Sequence, residues 1–167
     1  VLKPTIKELY TAQDLENYMH STIKIAQKAL IDDEVPIGAI IVDNQTKEII
    51  ATGFNQREVQ QRATAHAEIL AIEAACKVVG SWRLEHHSLF VTLEPCAMCA
   101  GAIINSRITD VIFGASDPKA GSVGSLTNLF TLDYNHHPDF QGGVLAAECG
   151  TLLTDFFRTI RRNRKHS

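Results

Sequence analysis

From Thr11 the apolar positions follow a helical period. Thr11-Ala12-Gln13-Asp14 has the form of a capping box, and Leu15, Met19, Ala26 and Leu30 fall on one face. The period then changes. Ile37 to Val42 is a continuous β-branched run, and Lys47 to Ala51 reads as its hairpin partner across Asp43-Asn44-Gln45-Thr46. Helical spacing returns at about Ala65 and stops at Gly80, a residue suited to a left-handed cap. Leu89 to Leu93 predicts a buried strand, Cys96 to Asn105 a helix, and Thr109 to Gly114 another strand. Ala115 to Gly143 is rich in Gly, Ser, Asn and His and predicts a long loop. Val144 to Ala146 then reads as a short last strand and Ala147 to Asn163 as a final helix. With no internal repeat and no linker, these elements predict a single α/β domain over residues 1–167, with a mixed sheet between helix layers.

Bulk composition narrows the class. A chain of 167 residues can bury roughly 70% of its unfolded surface. Its 45% hydrophobic and 21% charged content is that of a soluble globular protein. No apolar run approaches the ~20 residues of a membrane span, and Val1 to Lys28 has no signal-peptide core. Among four cysteines, Cys76 and Cys149 sit in helical patterns and are expected to pack as small buried hydrophobes. Free thiols suit a reducing cytoplasm, the expected location. A net charge of −3 argues against nucleic acid globally. The C-terminal stretch nevertheless carries Arg158, Arg161, Arg162, Arg164 and Lys165 against Asp155 alone. Two readings fit that stretch: a solvated helix end whose bases complement the dipole, or a phosphate-binding helix for RNA, with Phe156 or Phe157 beside a base.

The candidate chemistry lies in His66-Ala67-Glu68 and Pro95-Cys96-Ala97-Met98-Cys99. A lone Cys-x-x-Cys fits a redox pair, half a structural zinc site, or core cysteines, and a lone His-x-Glu carries little. Together they supply one His and two Cys, which leaves the fourth position of a tetrahedral zinc open for water. Glu68 lies outside that ligand set and is free to move a proton. Cys96 and Cys99, three apart, share a helix face. Pro95 just ahead suits a first turn, where the helix dipole favours thiolate. His66 and Glu68, two apart, point in opposed directions on a regular helix, so they converge only where the chain enters one. The expectation is a catalytic zinc on His66, Cys96 and Cys99, one per chain, with Glu68 as proton shuttle.

At these residues the chain resembles the zinc-dependent nucleoside and nucleobase deaminases, whose signature is a His-x-Glu and a Pro-Cys-x-x-Cys. Within them it is most similar to the bacterial tRNA adenosine deaminases. The resemblance runs from about Asp14 to Arg162 and rests on Asp33-Glu34-Val35-Pro36-Ile37-Gly38-Ala39, Thr64-Ala65-His66-Ala67-Glu68-Ile69, Gly80-Ser81-Trp82-Arg83-Leu84, Val91-Thr92-Leu93-Glu94-Pro95-Cys96, Asp117-Pro118-Lys119-Ala120-Gly121 and Asp155-Phe156-Phe157-Arg158. Ala63 departs from the pattern, which often has Pro there; no reactive group is lost. The resemblance implies a cytidine deaminase-like three-layer α/β/α sandwich with a central mixed sheet of about five strands. It further implies conversion of the wobble adenosine of a tRNA anticodon to inosine, and a homodimer. Asn55, Asp117, Asn135, His136, Phe156, Phe157 and Arg158 are the substrate-binding residues it implies. Taken alone, Asn55 is turn chemistry, and Asn135 and His136 are surface polar residues. His86, His87 and His137 have no such support and are expected to be structural.

Three rivals share features of this reading. A free-base or nucleoside deaminase acting on guanine, cytosine or cytidine would use the same metal chemistry without a basic terminal helix. The deaminase step of riboflavin synthesis usually brings a second, reductase domain, for which 167 residues leave no room. A non-enzymatic, zinc-stabilised RNA-binding module has no use for Glu68.

Overall fold

A computed structural model describes residues 2–166. In chain order the elements are α1 (Ile6–Leu9), α2 (Ala12–Gln27), β1 (Gly38–Asp43), β2 (Ile49–Phe54), α3 (Arg57–Gln60), α4 (Ala67–Val79), β3 (His87–Leu93), α5 (Ala97–Asn105), β4 (Asp110–Ala115), β5 (Asp139–Gln141) and α6 (Ala146–Lys165). Short 3-10 turns occupy Lys28–Asp32 and Leu129–Thr131.

Alternation along the central strands decides the layers. Ala39 and Ile41, Leu89 and Val91, and Val111 and Phe113 point to one face, where Ala67, Ala71 and Ala75 of α4 and Ala100, Ile103 and Ile104 of α5 cover them. Ile40, Val42, Phe90 and Ile112 point to the other, against Leu15 and Met19 of α2, Ile6 and Tyr10 at the N-terminus, and Cys149 of α6. Both faces of β1, β3 and β4 are therefore buried, which is why these strands read as unbroken apolar runs. The five strands lie in the order β2-β1-β3-β4-β5. β1 is antiparallel to both β2 and β3, whereas β3, β4 and β5 are parallel. The result is the expected three-layer mixed-sheet fold. Because β1 runs opposite to its neighbours, the ends of β2 and β3 and the start of β1 meet along one edge of the sheet.

Glycine fixes how closely α4 approaches that sheet. Gly53 of β2 lies beneath the first turn of α4. A Cβ there would collide with the Ala67 carbonyl oxygen and lie 2.7 Å from the Ala71 nitrogen.

Several boundaries differ from the sequence-based expectation. The last strand is Asp139–Gln141, paired with β4 in the register Asp110↔Asp139, and not Val144 to Ala146. Val144 is instead a buried core residue, and Leu145 turns left-handed (φ 52) to start α6. Leu30, expected on the buried face of the first helix, is 41% exposed. The chain tightens there into the 3-10 turn, so the period shortens and Ala29 turns inward instead. Cys149 is buried as expected, whereas Cys76 is only half-buried, near the end of α4. The capping box at Thr11 and Asp14 is formed, and Gly80 (φ 74) ends α4.

Candidate active site

His66 is the N-cap of α4 and Cys96 the N-cap of α5, both with extended backbone (ψ 154 and 175). That conformation resolves the geometric difficulty of a His-x-Glu pair. With His66 outside the helix and Glu68 in its first turn, the two side chains can point to a common place. Cys99 follows one turn into α5, on the face shared with Cys96.

The donor atoms converge. His66 Nδ1 lies 3.7 Å from Cys96 Sγ and 3.6 Å from Cys99 Sγ, and the three ligand atoms are within 4.8 Å of one another. Ligands at zinc–sulfur and zinc–nitrogen bond lengths in a tetrahedron are separated by about 3.6 Å. The spacing is therefore that of tetrahedral edges, and this triangle fits a zinc ion with one face open. It is the cluster of this kind found among the described residues.

The electrostatics agree with that arrangement. The Cys96 thiol is held down to about 4, chiefly by its hydrogen bonds with Cys99 and His66, against the upward push of burial. The Cys99 thiol is pushed up, because it faces the Cys96 sulfur, is buried, and lies close to Glu68. A hydrogen bond to Cys96 raises His66, although burial opposes it. Glu68 is 4% exposed. Burial pushes its carboxyl up to about 7, with Cys96 adding to the effect and His66 opposing it. A carboxyl poised near neutrality beside a metal triangle is suited to accept and return a proton.

A cavity of about 200 Å³ opens over this cluster, and Asn55, His66, Glu68, Glu94, Cys96 and Asp117 are among its walls. Asn55 is 7% exposed; its Nδ2 donates to the Val35 carbonyl (3.2 Å) and its Oδ1 accepts from the Arg57 N–H (3.2 Å). Asp117 heads a turn, its Oδ1 accepting from the Lys119 and Ala120 N–H groups. A second, larger groove of about 520 Å³ shares Val35, Asn55 and Arg57 with the first, so the two are neighbours. Its far wall is α6, through Phe156, Phe157, Arg161 and Arg164.

The structure thus brings Asn55 to both cavities, Asp117 to the first, and Phe156 and Phe157 to the second. Phe156 is half-buried and Phe157 exposed (44%), with the rings edge to face at 5.3 Å. Both rings line the groove, Phe157 the more exposed of the two. Arg158 lies on the exposed side of α6, 3.5 Å from Asp155. Asn135 and His136 are not brought to the cavity. His136 Nε2 is 2.7 Å from the Ile108 carbonyl, which precedes β4, whereas the cavity lies beyond the opposite ends of the parallel strands. Anchoring of their loop beside β5 holds them there. His87 and His137 contact backbone carbonyls, as structural histidines do.

Sequence reasoning misses three residues at these cavities. Arg57 lines both. Glu94 and Glu34 are carboxylates buried to 3% and 2% exposure, and each grips an adjacent loop. The available signal is, for Glu94, an acid directly after an apolar run, in Val91-Thr92-Leu93-Glu94-Pro95; Glu34, the last of three successive acids, carries none.

A family model described as MafB19-like deaminase matches residues 13–161. The chain is 52% identical over 151 residues to a tRNA-specific adenosine deaminase of Bacillus subtilis, covering 90% of this chain and 92% of that protein. The chain belongs to the tRNA-specific adenosine deaminases. Among solved structures, one from a study of A-to-I editing by tRNA:A34 deaminases at the wobble position superposes with a TM-score of 0.78 and 40% identity, covering 82% of this chain and 99% of that one. A guanine deaminase from Nitrosomonas europaea, at 22% identity, TM-score 0.70 and coverage of 84% and 83%, shares the fold alone. Of the donor triangle and its neighbouring carboxylate, His66, Cys96 and Glu68 line the cavity.

Proposed function

We propose that the protein hydrolyses adenosine to inosine at the wobble position of a tRNA anticodon, with a zinc ion on His66, Cys96 and Cys99 and Glu68 as the proton shuttle. The observation that carries this is a donor triangle with tetrahedral spacing next to a buried carboxylate outside the donor set. A zinc ion held there supplies the Lewis acidity that makes water a nucleophile near neutral pH.

Glu68 takes a proton from the attacking water and delivers it to ring N1, which makes C6 more electrophilic. It next carries a proton to the departing amine, so that water and adenosine give inosine and ammonia. Asn55, its amide fixed by Val35 and Arg57, borders the target base, and Asp117 borders the adjoining ribose or backbone. The target must leave its stack, which is easier in an anticodon loop than in a duplex. Phe157, Arg158 and Arg161 then serve the flanking RNA along the groove beside α6.

A free-base deaminase would share the chemistry but has no use for the basic run Arg158, Arg161, Arg162, Arg164 and Lys165 on α6, or for the groove that α6 walls with Phe156 and Phe157. The reading also includes a homodimer, measurable by light scattering. It includes a cytoplasmic setting as well, consistent with the lack, among the described residues, of a helix long and apolar enough to cross a membrane. The deciding assay compares an anticodon stem-loop carrying wobble adenosine with free adenosine, guanine, cytosine and cytidine at equal enzyme. Inosine in the stem-loop is the expected product. Good turnover of guanine or cytidine with an inert stem-loop would overturn the proposal.

A further inference from the structure

Glu94 stands two residues before Cys96, is almost completely buried and borders the same cavity as Glu68, yet its carboxylate is occupied by the chain itself. Its Oε1 accepts from the Asp117 N–H (3.0 Å) and the Ser125 hydroxyl, and its Oε2 accepts from the Val123 N–H (3.1 Å) and the Ser125 N–H (3.0 Å). Four donors fill the lone-pair capacity of a carboxylate. No acceptor site is left for a substrate, and no proton is needed there. Burial pushes this carboxyl up, but its hydrogen bonds with Ser125, Asp117 and Val123 outweigh that and hold it below the usual range.

All four donors belong to one segment, residues 117–125, which carries the Asp117 side of the cavity. That segment has little ladder structure of its own. It touches the thiolate segment through a single bridge between Cys96 and Gly121, to which the Ser122 N–H contributes by donating to the Pro95 carbonyl (2.9 Å). The loop instead wraps a built-in anion, its N–H groups turned inward as in an anion-binding nest. Gly121 shows independently how tight the wrapping is, since a Cβ at that position would collide with the Glu94 carboxylate.

We infer that Glu94 is a positioning residue for substrate binding, acting through Asp117: it fixes the 117–125 loop to the segment that carries the metal-binding cysteines, and so sets the width of the cavity mouth. This rests on the proposed reaction, but it concerns how the rim is held and not what the floor does.

Glu94→Gln tests it, because the amide can serve only some of the donors. Its NH2 cannot face the two N–H groups at the Oε2 position. It therefore turns to the Oε1 position, where the Ser125 hydroxyl can rotate to accept and the Asp117 N–H loses its acceptor. The expected result on the anticodon stem-loop is a KM raised about 10- to 100-fold, the range for losing a charged hydrogen bond, with kcat changed much less and zinc content unchanged. Adding Asp117→Ala to Glu94→Gln should then cost no more than either change alone, whereas independent effects would multiply. An unchanged KM, or multiplicative effects, overturns the inference. If Glu94→Gln does not fold, Ser125→Ala removes only the hydroxyl donor, and its cycle with Asp117→Ala decides in the same way. A wild-type protein inert on the stem-loop would defeat the proposed function itself; an active wild type with an unaffected Glu94→Gln would defeat this inference alone.

Discussion

His66, Glu68, Cys96 and Cys99 are held by the first turns of two helices, whereas Asn55 and Asp117, which border the same cavity, sit on irregular chain. The helical side needs only short-range geometry: an N-cap, one turn, and a sheet beneath. The irregular side has no such frame, and each part of it is held by a carboxylate from elsewhere in the chain. Glu34 Oε1 accepts from the N–H groups of Glu58 (2.6 Å) and Val59 (3.0 Å), fixing the stretch that follows Asn55. Glu94 does the same for the loop that follows Asp117. The two anchors differ in one respect. Both oxygens of Glu94 are saturated, while Glu34 Oε2 is buried and has no hydrogen-bond partner among the described residues. The candidate metal ligands and Glu68 are thus placed by local backbone structure, and the proposed substrate-binding residues by long-range polar contacts.

The contrast can be broken most severely at the floor. Cys99→Ala should remove zinc and activity together and lower the melting temperature, because metal binding contributes to folding stability. A full zinc complement in that variant, by metal analysis, would show the ligand set to be wrong. Glu68→Ala should keep zinc and RNA affinity while turnover falls to the upper end of the ~10²–10⁴-fold range for general acid–base groups or beyond. Single-turnover kinetics measures this, and a variant with a third of normal activity would remove Glu68 from the proton path.

Changes at the rim should leave the metal untouched. Neutralising Arg158, Arg161 and Arg162 together should raise KM for the stem-loop and flatten its salt dependence by about 0.7 in log–log slope for each phosphate no longer neutralised. A slope identical to that of the wild type would detach α6 from RNA. The smallest effect is expected at Glu34. In Glu34→Gln the amide oxygen can keep the Glu58 and Val59 donors while the NH2 takes the side that has no donor, so only the charge assistance is lost, about 1 kcal/mol. Denaturant titration and KM should both stay close to wild type. Equal damage from Glu34→Gln and Glu94→Gln would erase the distinction between the two anchors.

The floor of the site is legible in the sequence because its logic is local. His66-Ala67-Glu68 and Cys96-Ala97-Met98-Cys99 each describe a helix entry, and the runs that form β1, β3 and β4 are apolar on both faces. What escapes depends on partners distant in sequence. β5 is a short edge strand, Asp-Phe-Gln, with Phe140 exposed, and it is defined by main-chain pairing with β4, which leaves no pattern in its side chains. Val144 carries the apolar signal of a strand, although it only packs beneath the start of α6. Leu30 follows a helical period that the chain itself abandons at Lys28. Glu94 is visible as an acid in apolar company and Glu34 only as the last of three successive acids, and their donors are 23 to 31 residues away. The separation of Asn135 and His136 from the cavity likewise follows from a tertiary contact, to Ile108.

For the proposed metal site, Gly53 would make affinity depend on a residue outside the donor set. The missing side chain is the clearance that lets α4 rest on β2, and His66 is the residue at which that helix begins. One added methyl would act as a wedge under the first turn, lifting His66 from the two sulfurs, while ligand distances in such sites tolerate only about 0.2 Å. The gap between sheet and helix is in effect a calibrated spacer, and a chain with every ligand intact could still lose its ion through the floor on which those ligands stand.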